Sequence, residues 1–137
     1  MFERRVTISF GQCDPAGIVY YPNYFDMFNT STEALICEAL GVHIQDLALR
    51  FDIFGIPMIE ARNVYHRPSR PGDNIVIKSQ ITRIGRSSFD VYHQLFGATG
   101  DLAVEGFEKR VWAVIDPENP KALKGKSVPK ELRAQLD

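Results

Sequence analysis

A chain of 137 residues with 45% apolar and 24% charged side chains has the composition of an ordinary globular domain, long enough to bury roughly two-thirds of its unfolded surface without disulfide or metal staples. Sixteen basic residues against seventeen acidic ones leave a net charge of -1, so no overall field draws the chain onto nucleic acid or lipid, and any anionic ligand must be held by a local cluster. The two cysteines, Cys13 and Cys37, lack the paired spacing of a zinc site or redox motif and read as free thiols in a reducing compartment.

The N-terminal run MFERRVTISF has no apolar signal core, and no stretch approaches the ~18 apolar residues of a membrane span. A cytoplasmic protein is expected, without membrane or nucleic-acid partners. Within that run Val6, Ile8 and Phe10 alternate with Thr7 and Ser9, which predicts a half-buried first strand. DPAG, residues 14 to 17, places Asp, Pro and Gly where a type I turn prefers them. From Pro22 to Leu40 the residues Phe25, Phe28, Leu35, Ile36, Ala39 and Leu40 recur at helical spacing, with Pro22 suited to the first turn and Gly41 to the cap. A polar run, Asn29 to Glu33, crosses the middle of this helix, with Thr32 one turn after Phe28 on the expected buried face. Such a notch either bonds backbone or lines a pocket.

A second, shorter helix is expected around His43 to Arg50, and the remainder reads mostly as strand. MIEARNVYHR is followed by the breaker PSRPGD, then by NIVIKSQITRIG, SSFDVYHQLFG and one long strand, DLAVEGFEKRVWAVI, before a final helical turn in PKELRAQL. With no repeat or linker, residues 1–137 read as one domain. The order of one strand, one long helix and four strands predicts an α+β fold. In it a five-stranded antiparallel sheet wraps a helix ~28 Å long, and the sheet's edges invite a second subunit.

The order alone implies no activity, but the segment FGQCDPAGIVYYPNYFDMF strongly resembles the active-site segment of the 4-hydroxybenzoyl-CoA thioesterase family, the type with an Asp-Pro catalytic acid. The strand order resembles that family's hotdog fold over nearly the whole chain. The resemblance implies an acyl-CoA thioesterase that needs no cofactor, coenzyme A being part of the substrate, and that assembles as dimers pairing into a homotetramer. It places the catalytic carboxylate at Asp14 and the oxyanion-binding backbone N–H at Tyr21. A thioester is already activated, so one carboxylate and one preorganised donor suffice. Tyr21, just before Pro22, offers an N–H at the positive end of the helix dipole.

Other positions are read more openly. Asp14 is also what a simple turn would contain, and Gly17 both closes a turn and leaves room for substrate. Tyr20 and Tyr24 suit packing, Tyr20 occupying an aromatic position next to the site. Asn29 matches a position that resembles a pocket acid in relatives acting on 4-hydroxybenzoyl-CoA, so the acyl group here is expected to be another aromatic or an aliphatic chain. Arg86, Arg110 and Lys124 resemble positions near the nucleotide, and Arg83, Lys121 and Lys126 add to the basic surface. No metal is expected: His43, His66 and His93 share no ligand spacing, and His93 reads as structural. Glu33, and after it Glu60, are weaker candidates for a catalytic carboxylate. Hydratase chemistry is disfavoured because Ile18 and Val19 stand where a His would follow the Asp. The remaining alternative is a non-catalytic acyl-CoA or acyl-carrier binding module.

Overall fold

The structure, a computed structural model, describes residues 1–136. Strand β1 (Phe2–Thr7) leads through a short 3-10 turn into helix α1 (Pro22–Leu40), followed by α2 (Ile44–Phe51) and strands β2 (Met58–Tyr65), β3 (Asn74–Ile84), β4 (Ser88–Phe96) and β5 (Leu102–Val111). These strands form one five-stranded sheet of order β1-β3-β4-β5-β2, every neighbouring pair antiparallel. This is the architecture expected from the element order, with α1 as its long helix.

Helix α1 starts at Pro22, whose missing N–H costs nothing in the first turn. It ends on Gly41 in the left-handed region (φ 67°), whose N–H returns to the Cys37 and Glu38 carbonyls. The face carrying Tyr24, Met27, Phe28, Ser31, Thr32, Leu35 and Ile36 is buried. Its first half packs with Ile75, Ile77, Leu95 and Val104 of the sheet. Its second half joins Phe89, Val91, Trp112 and the buried Leu132 of α3 (Lys130–Arg133). The helix seats closely at Gly106 of β5, where a Cβ would lie 2.4 Å from the Phe28 ring. A second tie runs from β1, where Arg4 donates to Ser31 Oγ (2.9 Å) and to the Met27 carbonyl (2.8 Å).

The expected long final strand is interrupted. Trp112 is buried and its N–H donates to the Ser87 carbonyl (2.7 Å), which turns the chain off the sheet after Val111. Residues Ala113–Asp116 (β6) then pair with Asn119–Gly125 (β7) as a separate two-stranded ribbon. The sequence runs apolar from Val111 to Ile115 through this corner, with no Gly or Pro to mark the break.

Sheet edge β2 pairs only with β5. All of its eight residues are exposed except half-buried Asn63, including the apolar Met58, Ile59 and Val64.

Candidate active site

The loop from Cys13 to Val19 closes on itself through a bridge between those two residues. Within it the Asp14 N–H donates to the Ile18 carbonyl (2.9 Å), and the Gly17 N–H donates to the Asp14 carbonyl (2.9 Å). Gly17 has φ 82°, a conformation that side chains resist. Asp14 Oδ1 accepts the Ala16 N–H at 2.9 Å. One carboxylate oxygen is thus spent on the turn. Among the described residues Oδ2 accepts no hydrogen bond, and the side chain is half-buried.

The strand leaving this loop is pinned on both sides. The Val19 N–H donates to the Ser69 carbonyl and the Tyr20 N–H to the Gln12 carbonyl, both at 2.9 Å. Asn23 Nδ2 also donates to the Gln12 carbonyl, at 2.7 Å. Tyr21 therefore enters α1 already helical (φ -54°, ψ -35°). Its own N–H has no hydrogen-bond partner among the described residues, as the first groups of a helix leave it. Tyr20 and Tyr21 are exposed and meet edge to face at 5.4 Å. Tyr24 is buried against Tyr65, and burial pushes its hydroxyl pKa up, so it packs as a neutral ring. Beside Tyr21 lies an apolar groove of about 330 Å³ whose lining includes Ile18, Val19, Tyr24, Tyr65 and Pro68.

Behind α1, Thr32 of the polar notch takes a role other than the two expected of it. Thr32 donates to Glu108 Oε1 (2.6 Å) and lies 3.1 Å from His93 Nε2, so its partners are side chains, not backbone. His93 Nδ1 meets Ser79 Oγ at 2.6 Å, and its ring stacks on Phe28 at 4.7 Å. His93 Nε2 is 3.3 Å from Glu108 Oε2. Arg110 donates to Glu108 Oε1 (2.9 Å), to the Ile56 carbonyl (3.1 Å) and to Asn29 Oδ1 (2.6 Å). Burial would raise the Glu108 pKa, but the hydrogen bonds and charges of His93 and Arg110 outweigh it and hold the carboxyl below the usual range.

This network corrects the expectation for Arg110, whose side chain is 4% exposed and neutralised by Glu108 and so is no surface cation for a nucleotide. Glu108 is the residue missed by sequence reading. Its signal was its position two residues from Arg110, on the strand face shared with Val104 and Gly106. Glu33 is instead half-buried beside Cys37 and His43, and Glu60 is exposed opposite Lys109. Neither belongs to the Asp14 loop.

Arg86 and Lys124 are both exposed. The Arg86 carbonyl accepts the Val128 N–H (2.8 Å), and Ser87 lies against Gly125, so the β3–β4 turn and the end of β7 are neighbours. Lys126 is occupied, donating to the Phe51 and Asp52 carbonyls at the end of α2. Arg83 pairs with Asp90 at 2.9 Å. The Asp14 loop adjoins Ser69, before β3 begins, whereas Arg86 follows its end. An 11-residue strand is ~36 Å long, so a single chain holds Asp14 and this basic pair at opposite ends.

A family model described as the thioesterase-like superfamily matches residues 8–136. A 1,4-dihydroxy-2-naphthoyl-CoA hydrolase from Synechococcus elongatus is 33% identical over 94 residues, 69% of this chain and 68% of that one. A 4-hydroxybenzoyl-CoA thioesterase from Pseudomonas sp. strain CBS-3 is 28% identical over 120 residues, 85% of each chain. The solved structure of the Pseudomonas enzyme matches with a TM-score of 0.86 at 26% identity, covering 98% of this chain and 97% of that one. A solved gentisyl-coenzyme A thioesterase matches with a TM-score of 0.81 at 26% identity, covering 99% and 100%. The hotdog architecture, the Asp-Pro loop leading into α1 and these matches together establish that the chain belongs to the thioesterase-like superfamily, in the family of 4-hydroxybenzoyl-CoA thioesterase, and is a thioester hydrolase.

Proposed function

We propose that the protein hydrolyses an aromatic acyl-CoA thioester to the free acid and coenzyme A through Asp14, with the Tyr21 N–H as oxyanion donor. The observation that carries this reading is the pairing of a carboxylate whose Oδ2 is unspent with a helix-start N–H that has no internal partner, seven residues apart on one pinned loop. The aromatic acyl group is supported by the relatives, whose names specify hydroxybenzoyl, dihydroxynaphthoyl and gentisyl thioesters. Asp14 either attacks the thioester carbonyl, expelling the coenzyme A thiolate to leave an acyl-enzyme anhydride that water cleaves, or takes a proton from water as water attacks. In both routes negative charge develops on the carbonyl oxygen, where an N–H at the positive end of α1 stabilises it. Gly17 gives the loop its turn and keeps the approach to Asp14 free of a side chain. Tyr20 borders the entrance, and Asn29 contacts the acyl end.

The coenzyme A phosphates require cations, and Arg86 and Lys124 are the exposed candidates. Since one chain holds them far from Asp14, the reading includes a second copy. We infer a homodimer that pairs into a homotetramer, the open β2 edge and its exposed apolar residues being one surface suited to assembly. It acts in the cytoplasm, without a cofactor.

The bond from Ala16 to Asp14 is also what a plain turn residue makes, which is the observation favouring a binding module instead. The test is thiol release from benzoyl, substituted benzoyl, phenylacetyl and straight-chain acyl-CoA thioesters by wild type and Asp14→Asn. We expect turnover of aromatic members and a loss of at least two orders of magnitude in kcat for the variant, with its circular dichroism unchanged. Tight binding of thioesters with no turnover would favour the binding module.

A further inference from the structure

The turn between β3 and β4 is held by its carbonyl groups, and Arg133 of α3 gathers most of them. Its Nη2 donates to the Gly85 carbonyl at 2.9 Å and to the Arg86 carbonyl at 3.0 Å, while its Nε donates to the Val128 carbonyl at 3.1 Å. The Val128 N–H returns to the Arg86 carbonyl (2.8 Å), and the Trp112 N–H takes the Ser87 carbonyl (2.7 Å). Arg133 is seated by the residue before it, Leu132, whose side chain is buried with Trp112 and Val128. A guanidinium is a rigid fork of donors with no acceptor. Two successive peptide units must therefore point their oxygens at one nitrogen.

That convergence fixes what the turn shows to the outside. In a planar trans peptide the N–H opposes the C=O, so the Arg86 and Ser87 N–H groups both turn away from Arg133. Neither donates to any group among the described residues. Successive backbone N–H groups aimed the same way favour an anion. Here they lie beside the exposed Arg86 side chain, and Ser87 Oγ is against Gly125, the residue after Lys124. The two cations already offered for coenzyme A thus flank a pair of oriented backbone donors.

Resting on the thioesterase reading above, we propose that Arg133 is a positioning residue for coenzyme A: by holding the Gly85 and Arg86 carbonyls it presents the Arg86 and Ser87 N–H groups as donors to a phosphate of the substrate. It touches neither the thioester nor Asp14. Its effect is confined to thioesters that carry phosphate.

The test takes the aromatic acyl-CoA that wild type turns over fastest and the pantetheine thioester of the same acid, which has no phosphate. The preference, kcat/KM for the first divided by kcat/KM for the second, is measured for wild type, Arg133→Ala and Arg133→Lys. The ratio cancels the acyl chemistry and the fraction of active protein. Arg133→Ala should lower the preference about tenfold or more, the worth of a hydrogen bond to a charged group. Arg133→Lys keeps the charge without the fork and should lose as much. A preference within about threefold of wild type in Arg133→Ala, whatever its Tm, would leave Arg133 a structural tie and overturn the proposal. Full retention in Arg133→Lys would overturn it too, since charge alone would then suffice. In wild type, the Arg86 and Ser87 amide proton resonances should move downfield on titration with coenzyme A and stay in place with pantetheine. Amides unmoved by coenzyme A would overturn the proposal even if neither variant folds, and would leave the thioesterase reading standing. No hydrolysis of any aromatic thioester by wild type would overturn that reading and this role with it.

Discussion

Asp14 and Gly17 close the same turn, yet their substitution should separate structure from chemistry. Asp14→Asn preserves an oxygen for the Ala16 N–H, so its cost in stability is small, while the unspent oxygen loses its charge. Gly17 sits at φ 82° with open space around it, so a methyl group meets strain and no clash. Gly17→Ala should destabilise by about 1 kcal/mol, visible as a modest fall in Tm, and should lower turnover by disturbing the loop that carries Asp14. A Gly17→Ala protein with unchanged Tm would mean that the turn relaxes to another conformation. Glu108 shows the same logic with larger stakes. Its folded pKa lies below its unfolded value, so its contribution is present above the ordinary carboxylate range and is lost as pH falls through the lower, folded value. Thermal unfolding should therefore show a fall in Tm below about pH 4 that is weaker in Glu108→Gln. At neutral pH that variant leaves Arg110 buried without its anion and should be less stable by about 3 kcal/mol. Equal acid profiles for the two proteins would remove Glu108 from this role.

At the scale of elements, one testable contact is α1 against β5. Gly106 lets the Phe28 ring approach the strand backbone, and that ring in turn stacks on His93. Gly106→Ala puts a methyl where the ring lies, so the helix must move or the ring must leave its rotamer, an overpacking cost of about 1–3 kcal/mol. Because Phe28 supports the buried network, the loss should appear in chemical denaturation together with a changed environment for His93, measurable from its imidazole NMR signals. A Gly106→Ala protein of wild-type stability would show that α1 is less closely seated than described. The same seating explains the polar notch. A helix face that contacts a sheet carrying Glu108 and Arg110 needs hydroxyls at that level, and Thr32 supplies one.

For the whole molecule, the assembly proposed above rests on the open β2 edge and on the distance from Asp14 to Arg86 and Lys124. Placing charge on an edge strand discourages pairing. Ile59→Lys with Val64→Lys should shift sedimentation toward a smaller species and reduce thioester hydrolysis at low protein concentration. Retained assembly in this variant would place the interface elsewhere on the surface.

The sequence by itself determined most of the local elements and the family to which the loop motif belongs. Helix α1 was legible from Pro22 to its Gly41 cap, because capping and 3.6-residue periodicity are local. The Asp14 turn and Tyr21 at the helix start were legible because they lie in one contiguous motif. Tertiary structure alone decided what lies behind that helix. Glu108, His93 and Arg110 are charged-type residues on alternating strands, and only the register of β4 with β5 turns them toward α1 and away from water. It also took Arg110 from the surface into the core, and it ended β5 at Val111, after which the Trp112 N–H bonds to the distant Ser87 carbonyl. Such choices depend on partners far along the chain, and local pattern cannot carry them.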